Sequence, residues 1–298
     1  MGAKDIRLTR QGKIHYRIQQ QLKGYKRADA PPSRVKPIPF HIIDHTNSVA
    51  ATCNDPMSLA AADMATIGFF FLLRPGEHTK PSAQSDSAPF RLIDVTFQLG
   101  ATNLPAATAP LEQLQLATFV TLTFTTQKNA VLGEVVGHAR SGHSVSCPVR
   151  ALIRRVHHLR TNSAPPTTPL CTVYTSLTVT KHITAAYLTT TLRCAAEILY
   201  PVLGFHPLDI SARALRAGGA MALLCAQVDT DIIKLVGRWQ SDEMLRYLHL
   251  QAYPLMRHLA PLMVSGGQFR LLANQDIPAA AVPIITAANL ATGVATIL

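Results

Sequence analysis

The segment GRWQSDEMLRYLH (237–249) holds the chain's one tryptophan, Trp239, and an Arg-Tyr pair, Arg246 and Tyr247. Ser241 is placed to cap a helix, Asp242 and Glu243 suit its positive end, and Met244, Leu245 and Leu248 form an apolar stripe at helical spacing. Tyr247 falls at the edge of that stripe, where a tyrosine is either half-buried with its hydroxyl in water or a nucleophile. Four more residues of chemical interest lie elsewhere: Arg74 in LLRPGE, Lys128 in TTQKNAV, and Arg213 and Arg216 one turn apart in SARALRAGGA. Each has an ordinary reading when taken singly. Arg74 could cap a helix C-terminus, Lys128 could be a solvated loop tip, the arginine pair a basic surface turn, and Trp239 a packing anchor.

Other chemistries leave less trace. His138, His143 and Cys147 in HARSGHSVSC have loosely ligand-like spacing, but no second pair completes a tetrahedral set, so no metal site is expected. Neither a phosphate-binding GxxxxGKS/T loop nor a dinucleotide GxGxxG turn occurs, and no nucleotide cofactor is expected.

The formal net charge is +11, and it is unevenly spread. Residues 1–36 hold ten Lys/Arg against two Asp. Such an arm suits a polyanion, and nucleic acid is favoured over a membrane surface because the segment lacks a bulky apolar face. A nucleic acid is the expected partner, with Lys13, Arg17, Lys23, Lys26, Arg27, Arg34 and Lys36 as its contacts; taken alone, this arm suits double-stranded DNA and, as a basic scaffold, RNA. The longest apolar run, ATIGFFFLL at 65–73, is too short to cross a bilayer. Five scattered cysteines without a CxxC favour reduced thiols, hence an intracellular setting, nuclear in a eukaryote.

The elements that must position these residues follow from pattern. Residues 12–27 can form a basic helix, and DAPPSRVKPIP (29–39) breaks it as a stiff connector. Pro56–Leu73 reads as a buried helix ended by Pro75. Three strand-like runs follow at 90–99, 119–124 and 132–139, with Lys128 in the loop between the second and third. Residues 146–160, 182–200 and 211–226 read as helices, and 228–239 as a short one with a glycine stop at Gly237. The fold class is therefore α+β and mainly helical, with a small antiparallel sheet near its start. Residues 264–298 are rich in small side chains and read as a loose tail.

In this order, Arg74, Lys128, Arg213, Arg216, Trp239 and Tyr247 resemble the catalytic domain of the tyrosine recombinase, or phage integrase, family. The match runs over roughly residues 56–263. It is most similar to the integrase-like proteins of eukaryotic mobile elements, DIRS-like retroelements and Cryptons, whose boxes read much like LRAGGA and GRWxSDxxLRY. The resemblance implies three parts: residues 1–36 as the end of a core-binding domain and linker, 37–263 as the catalytic domain, and 264–298 as a tail that could serve exchange between four protomers on DNA.

What the resemblance implies chemically is DNA cleavage and rejoining through a 3′-phosphotyrosyl intermediate, with no metal, cofactor or ATP. Tyr247 would attack phosphorus, Arg74 and Arg216 would hold the non-bridging oxygens, Lys128 would protonate the leaving 5′ oxygen, and Trp239 would contact or underlie the phosphate. Glu77, in the RxGE pattern, would support them. A phenol titrates near ~10, so it needs cations to favour the phenolate and bear charge on the phosphorane. Two guanidiniums can do so bidentately. Two features depart from the family: the usual HxxR is RALR here, so Arg213 stands where an imidazole would exchange protons, and little of a core-binding domain precedes the connector. Both also fit a catalytically silent DNA-binding remnant.

Overall fold

In the computed structural model, the residues described are 16, 18, 20–21, 36–53, 55–81, 88–125, 133–176, 179–203 and 206–239. Contacts divide the chain into two compact units, Met1–His249 and Leu250–Leu298, and every described residue belongs to the first. Among those residues no helix is long and apolar enough to cross a membrane.

The first unit is a mixed α/β structure, mainly helical, built around helix α2 (Pro56–Phe70), with α1 (Phe40–Cys53) packed beside it. Asp55 caps α2, its Oδ2 accepting from the Ser58 amide at 2.8 Å, and Pro56 supplies a preset first-turn φ. Every residue from Ala60 to Phe69 is buried, so α2 is apolar all round and needs partners on every side. α1, α5 (Pro148–Thr161), α6 (Ala185–Leu203) and α7 (Ala214–Cys225) supply them.

The sheet has the order β2-β1-β3-β4, all antiparallel, with β1 Val95–Leu99, β2 Thr102–Pro105, β3 Phe119–Phe124 and β4 Glu134–Ala139. In β3, Val120, Leu122 and Phe124 are buried while Phe119, Thr121 and Thr123 are half-buried, the period-two alternation that the sequence announces. A smaller sheet pairs β5 (Thr172–Tyr174) with β6 (Thr180–His182). Short helices α3 (Pro75–His78), α4 (Leu111–Leu116) and α8 (Thr230–Gly237) complete the described elements, with 3-10 turns at Leu92–Asp94 and Pro207–Asp209.

Several local expectations change. The strand expected from 90 begins only at Val95, because Asp94 folds back to accept from the Arg91 amide at 2.8 Å and makes a 3-10 turn. The long helix expected from His182 starts at Ala185, since residues 180–182 pair with β5. α2 stops at Phe70 rather than running to Leu73. Leu72 takes a left-handed φ of 50°, and the Leu73 and Leu72 amides reach back to the carbonyls of Gly68 (3.0 Å) and Phe69 (3.4 Å), a Schellman end with leucine where glycine is usual. Arg155 on α5 is 2% exposed and donates Nε to the Leu170 carbonyl at 3.0 Å and Nη2 to that of Thr172, tying α5 to β5.

The adjacent glycines of α7 have a packing cause. A Cβ on Gly218 would lie 2.3 Å from the Ile38 carbonyl oxygen, and one on Gly219 would lie 2.2 Å from that of Phe69. Main chain occupies the space that a side chain would need.

Candidate functional site

The site grows from the end of α2. Arg74 precedes α3 with an extended ψ of 151°, and Pro75 takes the first helical position, so the arginine opens a helix rather than capping the end of one. The Glu77 carboxylate closes back on it, Oε2 accepting from the Arg74 amide at 2.8 Å and Oε1 from Nη1 at 3.2 Å. Glu77 is 1% exposed, whereas the Arg74 side chain keeps 25% of its surface open. A buried carboxylate thus orients a guanidinium that can still meet a ligand.

A second guanidinium shares that carboxylate. Arg238 Nη2 donates to Glu77 Oε2 at 3.2 Å and to the Leu72 carbonyl at 3.2 Å, while Nη1 donates to the carbonyls of Phe71 (3.2 Å) and Val236 (3.1 Å). Its Cζ lies 3.9 Å from the centre of the Phe124 ring. Arg238 is the left-handed residue (φ 57°) that ends α8, with the Arg238 and Trp239 amides reaching back to Leu235 and Lys234 at 3.0 Å. The stop expected at Gly237 therefore sits one residue later. Gly237 serves another purpose: the Trp239 ring folds over it and would overlap any Cβ there. Burial draws the Arg238 guanidinium down to about 10, which leaves it charged at neutral pH.

Arg216, buried in α7, joins the same network from the other side. Its Nη2 donates to the Gly237 carbonyl at 2.5 Å, and its Cζ lies 4.3 Å from the centre of the Trp239 ring. Arg74, Glu77, Arg238, Gly237, Arg216 and Trp239 are therefore linked without a break by hydrogen bonds, main chain and ring stacking. α7 itself is pressed against the Arg74 segment, because a Cβ on Gly219 would come within 2.3 Å of Leu72 Cδ2. Three guanidiniums against the Glu77 carboxylate, with Glu134 also acting on Arg238, leave the region with surplus positive charge, suited to an anion.

Arg213 is exposed at the start of α7 and lines a groove with Pro75, Thr189, Arg193 and Ser211, on the Arg74 side of the helix. Lys128 and Tyr247 lie outside the described residues, as do Lys13, Arg17, Lys23, Lys26, Arg27 and Arg34. The ends of the loop that carries Lys128 are described: the Gly133 amide donates to the Phe124 carbonyl at 2.9 Å, so the loop springs from the strand end on which Arg238 stacks. Lys36, expected to contact DNA, pairs with Asp209 at 2.6 Å and keeps its side chain half exposed. Among the described residues no group of three His, Cys, Asp or Glu could hold a metal. Of the loosely spaced trio, His138 packs its ring 4.7 Å from that of Phe71, His143 sits 3.5 Å from Asp44, and Cys147 is buried at the start of α5.

Sequence reasoning missed Arg238. An arginine after a helix-ending glycine reads as a surface cation, and the only hint is the missing glycine at the position where the chain must turn left-handed.

His78 adds a testable pH dependence. It is fully buried, its Nδ1 lies 2.9 Å from the Arg74 carbonyl, and burial draws it from 6.5 to about 4. The folded protein keeps it neutral, so its contribution is fully present above pH 6.5 and is lost as pH falls toward 4. That gap corresponds to roughly 3 kcal/mol. Urea unfolding at pH 7.5 and pH 4.5 is expected to show a smaller acid loss for His78→Gln than for wild type; equal losses would show that His78 does not carry it.

No family model matches the chain, and no curated protein matches it significantly.

Proposed function

We propose that the chain cleaves and rejoins DNA strands as a tyrosine recombinase of a mobile element, with Tyr247 as nucleophile. The observation that carries the reading is the joining of Arg74, Arg216 and Trp239, from distant parts of the sequence, into one network beside the hairpin that bears Lys128. A small antiparallel sheet set against a helical body is compatible with that family's catalytic domain.

In the proposed step the Tyr247 oxygen forms a bond to the scissile phosphorus and the bond from phosphorus to O5′ breaks. The phenol proton leaves to solvent or to Lys128, and Lys128 protonates the departing O5′. Arg74 and Arg216 share the charge on the non-bridging oxygens; because a guanidinium stays protonated, this stabilisation does not vary across the physiological pH range. The 3′-phosphotyrosyl linkage conserves the energy of the broken diester, so a free 5′ hydroxyl can reverse the step.

A second reading, an inactive DNA-binding remnant, is favoured by Arg213. It cannot exchange a proton near pH 7, and His78, which contacts the Arg74 carbonyl, is buried and neutral. Incubating the full chain with a pool of nicked duplexes of randomised sequence separates the two. The strand-transfer reading expects an adduct that survives detergent and a DNA-modified peptide whose mass maps to Tyr247. Salt-sensitive duplex binding without an adduct would favour the remnant, and absence of binding would defeat both.

A further inference from the structure

The residues of the proposed site differ in exposure. Arg74 is partly open, whereas both Nη nitrogens of the buried Arg238 are already donated to four protein acceptors, which leaves neither for a DNA phosphate. A buried cation at this junction needs another purpose. Its contacts show one: it bonds the carbonyls of Phe71 and Leu72 just past the end of α2, the Val236 carbonyl of its own helix, and the Glu77 carboxylate that grips Arg74. Its flat face meets Phe124, where the Lys128 hairpin begins.

We propose that Arg238 is a positioning residue, which sets the direction of Arg74 through Glu77 and keeps the β3–β4 hairpin in register with it. The proposal rests on the strand-transfer reading for its effect on chemistry, though not for its effect on Arg74. Lysine cannot substitute: it is a single donor centre without a planar face, whereas here two nitrogens serve four acceptors while the plane stacks on a ring. The backbone adds to this. A left-handed conformation, φ 57° here, is disfavoured for a non-glycine residue, so the arginine stands where glycine is usual.

That preference supplies the experiment. Arg238→Gly relieves the backbone and leaves a slot shaped for a guanidinium, which methylguanidinium can enter and methylammonium cannot fill. Two readouts are taken on the full chain: the rate of adduct formation, and the position of the Arg74 Nε–H resonance, assigned by its loss in Arg74→Lys. Arg238→Gly is expected to slow adduct formation on the order of 10²-fold, as a small misplacement of a reacting group does, and to move the Arg74 resonance toward that of a free arginine. Methylguanidinium should restore both, and methylammonium neither.

An unchanged Arg74 resonance in the glycine variant would overturn the proposal whatever the activity, and so would equal rescue by both amines. Should wild type form no adduct while the resonance still responds and recovers, the positioning role stands and the strand-transfer reading falls. If Arg238→Gly does not fold, Arg238→Lys takes its place: it should shift the same resonance, and an unchanged resonance overturns the proposal.

Discussion

Arg216→Lys is expected to lower the single-turnover rate of adduct formation by about 10²–10³-fold while weakening duplex affinity less than about tenfold. The asymmetry follows from where the guanidinium sits. Arg216 is buried in α7, held by the Gly237 carbonyl and lying over the Trp239 ring, so little of it is available for diffuse attraction to a duplex. In the proposed reaction it matters when charge gathers on the phosphorane oxygens. Lysine keeps the charge and loses the fork, so an effect this large would come from directed hydrogen bonding rather than net charge. Adduct formation at saturating protein and equilibrium binding, measured side by side, check it. If both fall by the same factor, Arg216 binds DNA without favouring the transition state.

Gly219→Ala is expected to cost about 2 kcal/mol or more of stability, against a helix-propensity gain of about 1 kcal/mol that the same change would give at an open helical site. The added methyl meets the Phe69 carbonyl oxygen at 2.2 Å and Leu72 Cδ2 at 2.3 Å. Leu72 could turn aside, but the carbonyl belongs to the backbone of the central helix and cannot. α7 would have to lift off α2, taking Arg216 away from the end of α2 from which Arg74 projects, so adduct formation should fall as well. Gly142→Ala is the control: it has a φ of 77° and nothing within 4 Å, so only the backbone penalty applies. Urea midpoints of the two variants against wild type decide the matter, and equal midpoints would show that the α2–α7 contact yields more easily than its geometry indicates.

Much of the scaffold was legible because short-range chemistry announces it. Asp55 and Pro56 ahead of an apolar run mark the start of α2, and the Val120, Leu122, Phe124 alternation marks β3. α1 was missed because FHIIDHTNSVAATC mixes histidine, asparagine and threonine and lacks a strong helical preference; its stability comes from packing on α2, with Asn47 Nδ2 bonded to Thr66 Oγ1 at 2.8 Å and Ser146 Oγ at 3.1 Å. Arg74 and Arg216 could be picked out through neighbouring residues that form boxes. Arg238 and Arg155 could not, since their partners are mostly carbonyl oxygens, which every residue carries and no sequence pattern marks.

The stretch ahead of α1 is fastened in an unexpected place. The Ile38 amide donates to the Ala214 carbonyl at 3.3 Å, its own carbonyl presses on Gly218, and Lys36 pairs with Asp209 just before α7. A displacement of residues 36–38 would therefore be felt at the start of the helix that bears Arg216.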